Sequence, residues 1–264
     1  EWLSRCTAAA LLVALGHRCR GPGGPPTSFA GGPSLGLGGR ARRSSARAQG
    51  DIDTLIFDID DTMYSASSGL SDHRMGVNVT GRFMVEKMGF QSAEEGMELW
   101  REYIRRYHST LKGFRVAAEE GRLPRPFRQE ELGEYWAEHV DFEKFVPPNP
   151  AMVEALGSLK NEAGLKLVAF TNAPRKYALR ALEHLGVKDL FDDSRIFAVE
   201  DVLPACKPEQ AAFKQVLESV GSAPERSVMF EDSMKNVRAC GELGIRTVLV
   251  QEDASGAQSG EALL

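Results

Sequence analysis

Two carboxylates spaced i and i+2 follow a short apolar run near residue 58. The run is Leu55–Phe57, and Asp58, Asp60 and Thr62 come directly after it. An apolar run of this length predicts a buried strand, and side chains just past the carboxyl end of a parallel strand lie where open α/β sheets bind ligands. A carboxylate in that place can act as a nucleophile, and a second one two residues later can transfer a proton.

Polar side chains stand in the same kind of place at three later points. The first point is an apolar run that is followed by a hydroxyl and an amide. The second is a lysine that precedes a proline at a predicted helix start. The third is another apolar run, which is followed by a second carboxylate pair. These side chains are Thr171, Asn172, Lys207, Glu231 and Asp232. A hydroxyl and an amide ahead of a helix suit an anion, whereas the helix dipole opposes a purely structural lysine at a helix start. Taken singly, each has a plainer interpretation as a turn residue, a solvated lysine or a helix cap, but four sites in this order favour one common site.

The carboxylates Asp58, Asp60, Glu231 and Asp232 could not meet around an anionic substrate without a compensating charge. Two like charges about 4 Å apart repel by about 4 kcal/mol at an effective dielectric constant of about 20, so one group would otherwise take up a proton. A hard divalent cation removes the repulsion, and Mg²⁺ suits a few carboxylates plus a phosphate. The sequence therefore predicts a magnesium site with Asp58 and Asp232 as ligands and with Glu231 bound directly or through a water. Asp61 is interpreted as a turn residue, and four histidines are interpreted as surface or core residues: His73, His108, His139 and His184.

Short apolar runs alternate with amphipathic segments from Thr54 onward, a pattern typical of a parallel sheet flanked by helices. The predicted strands are Thr54–Phe57, Lys166–Phe170, Arg195–Ala198, Ser227–Phe230 and Arg246–Val250. Helices are predicted from Pro174 to Gly186 and from Pro208 onward. The predicted fold class is α/β, a three-layer α/β/α Rossmann-like parallel sheet.

The stretch between the first two predicted strands is too long for one crossover helix. It carries helical spacing before Gly89, a capping box at Ser92 and Glu95, and another helical pattern over 129–140. We therefore expect residues 65–146 to form an inserted helical cap whose aromatic side chains are its own core. The core domain would comprise residues 51–64 and 147–254, followed by a flexible tail over residues 255–264.

The first fifty residues differ in composition from the rest of the chain. They hold seven arginines and one acid, so residues 51–264 carry 25 basic and 36 acidic side chains, a net of −11. Arg-rich and acid-poor sequence predicts a disordered or targeting leader for a plastid or a mitochondrion, and a cytoplasmic protein otherwise. Its apolar run over 8–15 is too short to span a membrane, and the acidic body argues against nucleic-acid binding. The four cysteines lie at no metal-ligand spacing and are interpreted as free thiols.

The ordered set of Asp58–Thr62, Thr171, Lys207 and Glu231–Asp232 resembles the four motifs of the haloacid-dehalogenase superfamily of phosphatases. The resemblance implies a magnesium-dependent phosphate-monoester hydrolase that acts on a small phosphorylated metabolite through an aspartyl-phosphate intermediate. It implies that Asp58 is the nucleophile and that Asp60 is the general acid and base, with its backbone carbonyl as a further metal ligand. It also implies that Lys207 and Thr171 contact the phosphoryl oxygens, and that the first-motif strand lies centrally in the sheet.

The segments Phe57–Leu70 and Phe83–Phe90 look like the pyrimidine 5'-nucleotidase branch of fungi and plants. This narrower resemblance implies a nucleoside 5'-monophosphate as substrate. Thr62 and Asn172 complete the predicted substrate-binding set, with Thr62 either restraining Asp60 or stabilising the turn. A phosphosugar phosphatase or phosphomutase on the same scaffold stays open, as does a non-catalytic binding protein that keeps the fold. The oligomeric state is left open by the sequence.

Overall fold

The first strand of the chain lies inside a six-stranded sheet with the order β3-β2-β1-β4-β5-β6. The computed structural model describes residues 52–252 and, for the backbone, Gln258–Leu263. The strands are β1 (Thr54–Phe57), β2 (Lys166–Phe170), β3 (Ile196–Phe197), β4 (Ser227–Glu231), β5 (Arg246–Glu252) and β6 (Gln258–Leu263). The first five are parallel, and β6 pairs antiparallel with β5. The central position that the resemblance implies for the first-motif strand is therefore confirmed, with β1 between β2 and β4.

The chain from residue 66 to residue 145 is helical. Its α-helices are α1 (Leu70–Met75), α2 (Arg82–Glu86), α3 (Ala93–Tyr107), α4 (Thr110–Glu119), α5 (Gln129–His139) and α6 (Phe142–Phe145). A 3₁₀ turn at Ala66–Ser68 precedes them, and a π-helical turn at Val77–Gly81 separates α1 from α2. At the start of α3, the Ser92 side chain accepts a hydrogen bond from Glu95 N–H at 3.2 Å, which satisfies one of the free donors of the first turn.

The remaining helices cover the two faces of the sheet. They are α7 (Pro150–Asn161), α8 (Arg175–Leu185), α9 (Val199–Val202), α10 (Gln210–Ser219) and α11 (Met234–Leu243). Every residue of β1 is buried, as expected for a parallel strand that is covered on both faces. Leu55 and Phe57 belong to one apolar cluster with α7 and α8, while Ile56 belongs to a second cluster with α10 and α11. The three-layer α/β/α class is thereby confirmed.

The inserted helices share the first of these apolar clusters with the core. Phe83, Tyr103 and Tyr135 of the insertion lie in the same cluster as Leu182 of α8, and α5 packs directly against α8. Gly133 permits this approach, because a Cβ atom there would lie only 3.1 Å from Pro174. The aromatic side chains of the insertion therefore pack into a core that they share with the sheet domain, rather than a separate one.

Several predicted boundaries differ from the structure. Residues 258–263 form a strand, which corrects the prediction of a flexible tail over residues 255–264, since alternate small and polar residues gave no strand signal there. The helix predicted from Pro208 begins at Gln210, so Lys207 lies three residues ahead of it rather than directly before it. The predicted leader and the thiols of Cys6 and Cys19 lie outside the described residues. Within residues 52–252, no helix combines the length and apolar character needed to cross a bilayer.

Candidate active site

Three carboxylates meet at the carboxyl ends of β1 and β4. Asp58 follows β1, Glu231 ends β4, and Asp232 comes next; one oxygen of each lies within 4.8 Å of the others. The parallel register that sets Phe57 beside Phe230 brings them together, and the backbone N–H of Asp58 donates to Phe230 O at 3.0 Å. The structure thus places at one edge of the sheet the carboxylates that the sequence assigns to a metal.

Lys207 lies between two of these carboxylates. Its Nζ atom is 2.8 Å from Asp58 Oδ1 and 2.8 Å from Glu231 Oε2, and the residue is 1% exposed. Burial lowers the pKa of Lys207, but Asp58 and Glu231 outweigh burial and raise this pKa above its ordinary value. Lys207 therefore stays charged as the counter-ion of the cluster.

Asn172 fixes the backbone of Lys207. Its Oδ1 atom accepts a hydrogen bond from Lys207 N–H at 2.9 Å, and its Nδ2 atom donates to Lys207 O at 2.7 Å and to His108 O at 3.1 Å. Both amide hydrogens are used by backbone carbonyls. This corrects the prediction that the Asn172 side chain holds an anion, because its amide instead positions Lys207.

The two predicted threonines have different surroundings. Thr171 follows β2, is buried and lines the cavity; its Oγ1 atom accepts from Ala173 N–H at 3.0 Å, which leaves its own hydroxyl hydrogen to donate. Thr62 is fully buried and donates to Asp232 Oδ1 at 3.3 Å. Thr62 therefore lies behind a carboxylate, and this corrects the prediction that it contacts the substrate or restrains Asp60.

Asp60 is held by three side chains. Arg74 Nη1 lies 2.8 Å from Oδ2, Tyr177 donates to Oδ1 at 2.8 Å, and Tyr64 also donates to Oδ1. The guanidinium of Arg74 lies over two rings, 4.5 Å from the Tyr177 centroid and 4.9 Å from that of Trp136. Burial raises the pKa of Asp60, but Arg74 and the two tyrosine hydroxyls outweigh it and lower this pKa below its ordinary value of 3.8.

Asp61 is a turn residue, as the sequence indicates. Its φ angle is 58°, in the left-handed region that aspartate tolerates better than most residues. Its Oδ1 atom accepts from Ser71 Oγ at 2.9 Å. The chain can therefore turn sharply after Asp60 and enter the helical insertion.

A cavity of about 270 Å³ opens onto these groups. Its lining includes Asp58, Asp60, Thr171, Lys207, Glu231 and Asp232. The insertion supplies part of the opposite lining, through Arg74, Met75, Ile104, His108 and Trp136 among others. Core and insertion therefore both contribute to a single pocket.

A family model for haloacid dehalogenase-like hydrolases matches residues 52–244 of this chain. The match covers the whole carboxylate cluster, Lys207 and the helical insertion. The chain belongs to the haloacid dehalogenase-like hydrolase family. The family assignment thus rests on most of the sequence, and it agrees with the resemblance of the four motifs.

Among relatives of this haloacid dehalogenase-like hydrolase, a phosphorylated carbohydrates phosphatase of Thermotoga maritima is 32% identical over 107 residues, which are 40% of this chain and 48% of that protein. A phosphoglycolate phosphatase of Nitrosococcus oceani is 32% identical over 90 residues, 34% of this chain and 38% of that protein. The chain therefore spans about half, or less, of the length of these relatives. A crystal structure of a phosphatase of the same family from Thermococcus onnurineus is similar in fold, with a TM-score of 0.51 and 24% identity over 77% of this chain and 88% of that one.

The carboxylates of this haloacid dehalogenase-like hydrolase carry more negative charge than Lys207 alone can balance. Burial, followed by the charge of Glu231, raises the pKa of Asp58 well above its ordinary value. Burial and Glu231 also raise the pKa of Asp232 to about 7. Burial raises the pKa of Glu231 as well, but Lys207 and a hydrogen bond from Asp232 outweigh it and lower this pKa. The cluster lacks positive charge, as the sequence argument anticipated.

The donor set fits a hard divalent cation. Asp58, Glu231 and Asp232 offer only carboxylate oxygens, the ligand type that Mg²⁺ prefers. One ligand oxygen of each lies within 4.8 Å of the others, so the three carboxylates converge on one region where a single ion could bind. A divalent charge nearby would also lower the raised pKa values of Asp58 and Asp232.

The sequence did not reveal Arg74, Tyr64 and Tyr177, the three residues that bind the Asp60 carboxylate. Tyr64 lies four residues after Asp60 and could have been found as a neighbour in the motif. Tyr177 lies on the buried face of α8, and its hydroxyl gives no separate signal in the sequence. Arg74 reaches Asp60 only because the insertion folds back over the sheet edge.

Proposed function

We propose that this chain hydrolyses phosphate monoesters, with Asp58 as the nucleophile. One observation supports this more than any other: the Asp58 carboxylate is buried beside the Lys207 ammonium at 2.8 Å, at the floor of a pocket. A buried lysine next to a carboxylate nucleophile can neutralise the charge that a phosphoryl group brings into the site. The family membership and the phosphatase names of the relatives agree with this activity.

The reaction has two steps. An oxygen of Asp58 attacks phosphorus, the bond between phosphorus and the ester oxygen breaks, and the leaving alkoxide takes a proton from Asp60. Water then attacks the aspartyl-phosphate, Asp60 accepts its proton, and inorganic phosphate leaves as the Asp58 carboxylate is restored. In the present structure the Asp60 oxygens are occupied by Arg74, Tyr64 and Tyr177, so proton donation requires that the Arg74 contact be broken.

The remaining groups stabilise charge on the phosphoryl oxygens. We assign this role to Lys207 and to the hydroxyl hydrogen of Thr171. Asp58, Asp232, the backbone carbonyl of Asp60 and Glu231, directly or through a water, would hold Mg²⁺. A bound Mg²⁺ would supply positive charge for the transferring oxygens and for the carboxylates that converge on them.

We propose that residues 65–146 act as a cap over residues 51–64 and 147–254. The pocket is lined from both parts, and the Arg74–Asp60 ion pair joins them. Closure of such a cap would exclude bulk water and select the leaving group.

Two observations bear on the substrate class, and they favour different phosphate esters. The nucleotidase-like segments of the sequence favour a nucleoside 5'-monophosphate. The relatives named above favour phosphorylated carbohydrates or phosphoglycolate. The cavity volume of about 270 Å³ falls just under the range of about 300–1,000 Å³ for drug-sized ligands, which favours the smaller esters.

Release of inorganic phosphate from a generic ester tests the proposal. We expect the wild type with MgCl₂ to release phosphate, and both Asp58→Asn and the wild type with excess EDTA to release none. Asp193→Asn is a matched control, because its side chain is 85% exposed and its partner is Lys188, away from the pocket lining. Unchanged release by Asp58→Asn would refute the nucleophile. Interconversion of sugar phosphates without phosphate release would indicate a phosphomutase.

A further inference from the structure

Three cationic side chains line the pocket, and two of them are paired with carboxylates. Lys207 contacts Asp58 and Glu231, and Arg74 contacts Asp60. Lys235, the second residue of α11, also lines the pocket. Among the carboxylates of residues 52–252, none lies within ion-pair distance of it. Its charge is therefore available to a ligand in the pocket.

The polar partner of Lys235 is a neutral ring from the insertion. Lys235 Nζ lies 3.0 Å from His108 Nδ1. Burial, and then Lys235, lowers the pKa of His108, so the ring accepts a hydrogen bond without cancelling the charge. His108 joins Lys235 in the pocket lining.

The backbone of His108 is held in an unfavourable conformation beside the core. Its φ angle is 57°, in the left-handed region that residues with a Cβ seldom adopt, and His108 caps the end of α3 with its N–H donating to Ile104 O. Its carbonyl accepts from Asn172 Nδ2 at 3.1 Å, and the next residue, Ser109, donates to Asn172 O at 3.1 Å. Backbone strain that is fixed by the surrounding structure is concentrated at functional sites. In this conformation the His108 ring lies beside Lys235, with Nδ1 3.0 Å from Nζ.

Two neighbouring hydroxyls of the pocket wall have partners within the protein. Ser109 Oγ donates to a backbone carbonyl, and Thr110 Oγ1 accepts from Trp100 Nε1 at 3.0 Å, which leaves the Thr110 hydroxyl hydrogen to donate. The adjacent lining from Met75 and Ile104 is apolar. Lys235 and His108 therefore form a localised polar pair beside an apolar stretch of the wall.

We propose that Lys235 and His108 form a subsite for a second anionic group on the leaving group of the substrate, either a carboxylate or a second phosphate. This inference rests on the proposed phosphatase activity, and it names the substrate class as small phosphate monoesters that carry another negative charge. Lys235 is a specificity residue in this arrangement: its ammonium binds the second anion, while the Asp58 chemistry at the phosphate is unchanged.

Three esters of similar size test the subsite through kcat/KM for phosphate release: 2-phosphoglycolate, the bisphosphate of ethylene glycol, and 2-hydroxyethyl phosphate, which lacks a second charge. We expect the wild type to prefer at least one of the doubly anionic esters over 2-hydroxyethyl phosphate by about tenfold, or about 1.4 kcal/mol. The ester that is preferred distinguishes a carboxylate subsite from a phosphate subsite. The preference should arise mainly from KM.

Variants of Lys235 complete the test. Lys235→Met should remove most of the preference, and Lys235→Arg should retain it. Lys214→Met is the matched control, because Lys214 is an exposed lysine on α10 away from the pocket lining, and it should leave the preference unchanged. Lys235 is itself exposed, so melting temperatures should be similar for all variants.

The outcomes separate the two proposals. Phosphate release that is equally fast for charged and neutral esters, or a preference that survives Lys235→Met, would overturn the subsite while leaving the phosphatase in place. No release from any ester, including the generic one, would overturn the phosphatase and the subsite with it.

Discussion

Replacing Arg74 by methionine should lower the free energy of unfolding by about 3 kcal/mol. Arg74 is 5% exposed, and its guanidinium lies 2.8 Å from Asp60 and over the rings of Trp136 and Tyr177. Methionine keeps the aliphatic stem that packs on these rings but removes the charge. The perturbation therefore isolates the ion pair that links the insertion to the sheet edge.

The magnitude follows from what Asp60 retains. Removing one partner of a buried ion pair typically costs about 3–5 kcal/mol, because the other charge is left uncompensated. Asp60 keeps its hydrogen bonds from Tyr64 and Tyr177, and its side chain is 16% exposed, so the lower end of that range applies. For a domain of this size, about 3 kcal/mol corresponds to a fall of about 6–12 °C in Tm.

Urea unfolding at pH 7 of the wild type, Arg74→Met, Asp60→Asn and the double variant measures the pair directly. We expect a coupling energy of about 2 kcal/mol between the two sites. Because the pKa of Asp60 is lowered below 3.8, the stabilisation is complete above that pH and is lost as the pH falls through the lowered value. Arg82→Met is the control, since the Arg82–Glu86 pair has a similar distance of 2.9 Å but side chains that are 54% and 42% exposed. A loss below about 1 kcal/mol for Arg74→Met, or no coupling with Asp60→Asn, would refute the reasoning.

Three further predictions concern the metal cluster and the thiols. Burial and Glu231 raise the pKa of Asp58, so Asp58→Asn should raise the Tm measured in EDTA. The same variant should lose the additional rise in Tm that Mg²⁺ gives the wild type by mass action. A lower Tm for Asp58→Asn in EDTA would contradict this prediction. Lys207→Met leaves Asp58 and Glu231 without their counter-ion. It should therefore abolish phosphate release and lower the free energy of unfolding in urea by about 3 kcal/mol or more. A variant as stable as the wild type would show that the carboxylates do not need the lysine. Burial raises the pKa values of Cys206 and Cys240 to about 12 each. Peptide mass spectrometry should therefore find both thiols unmodified after alkylation of the native protein at pH 8, and modified when alkylation follows unfolding. Rapid labelling of the native protein would contradict the burial of these thiols.

Much of the catalytic arrangement could be predicted because it depends on strand ends. Parallel strands place the residues that follow them at one edge of the sheet, whatever the sequence distance between the strands. Asp58 and Glu231 lie 173 positions apart in the sequence and still share Lys207. Periodicity likewise predicted the α/β class and β1, β2 and β4 to within one residue.

Side-chain partners across the insertion could not be predicted in this way. Thr62 and Asn172 have residue types that suit a substrate, yet one donates to Asp232 and the other holds the backbone of Lys207. A hydroxyl or an amide bonds to whatever lies within about 3 Å, and sequence spacing does not show which neighbour that is. The predicted substrate contacts of these two residues were wrong for this reason.

The sequence by itself determined the order of the chemical groups and the strands that carry them, and it predicted a cation, because apolar runs and like charges impose local physical constraints. Only the tertiary structure decided that Arg74 forms an ion pair with Asp60 and that Lys235 contacts His108. Both contacts join the helical insertion to the sheet domain, and their distances depend on how α5 packs against α8 and on the left-handed turn at His108. Contacts between elements that fold back from distant parts of the chain carry no periodic signal, so these contacts in the pocket can be seen only when the two parts are packed together.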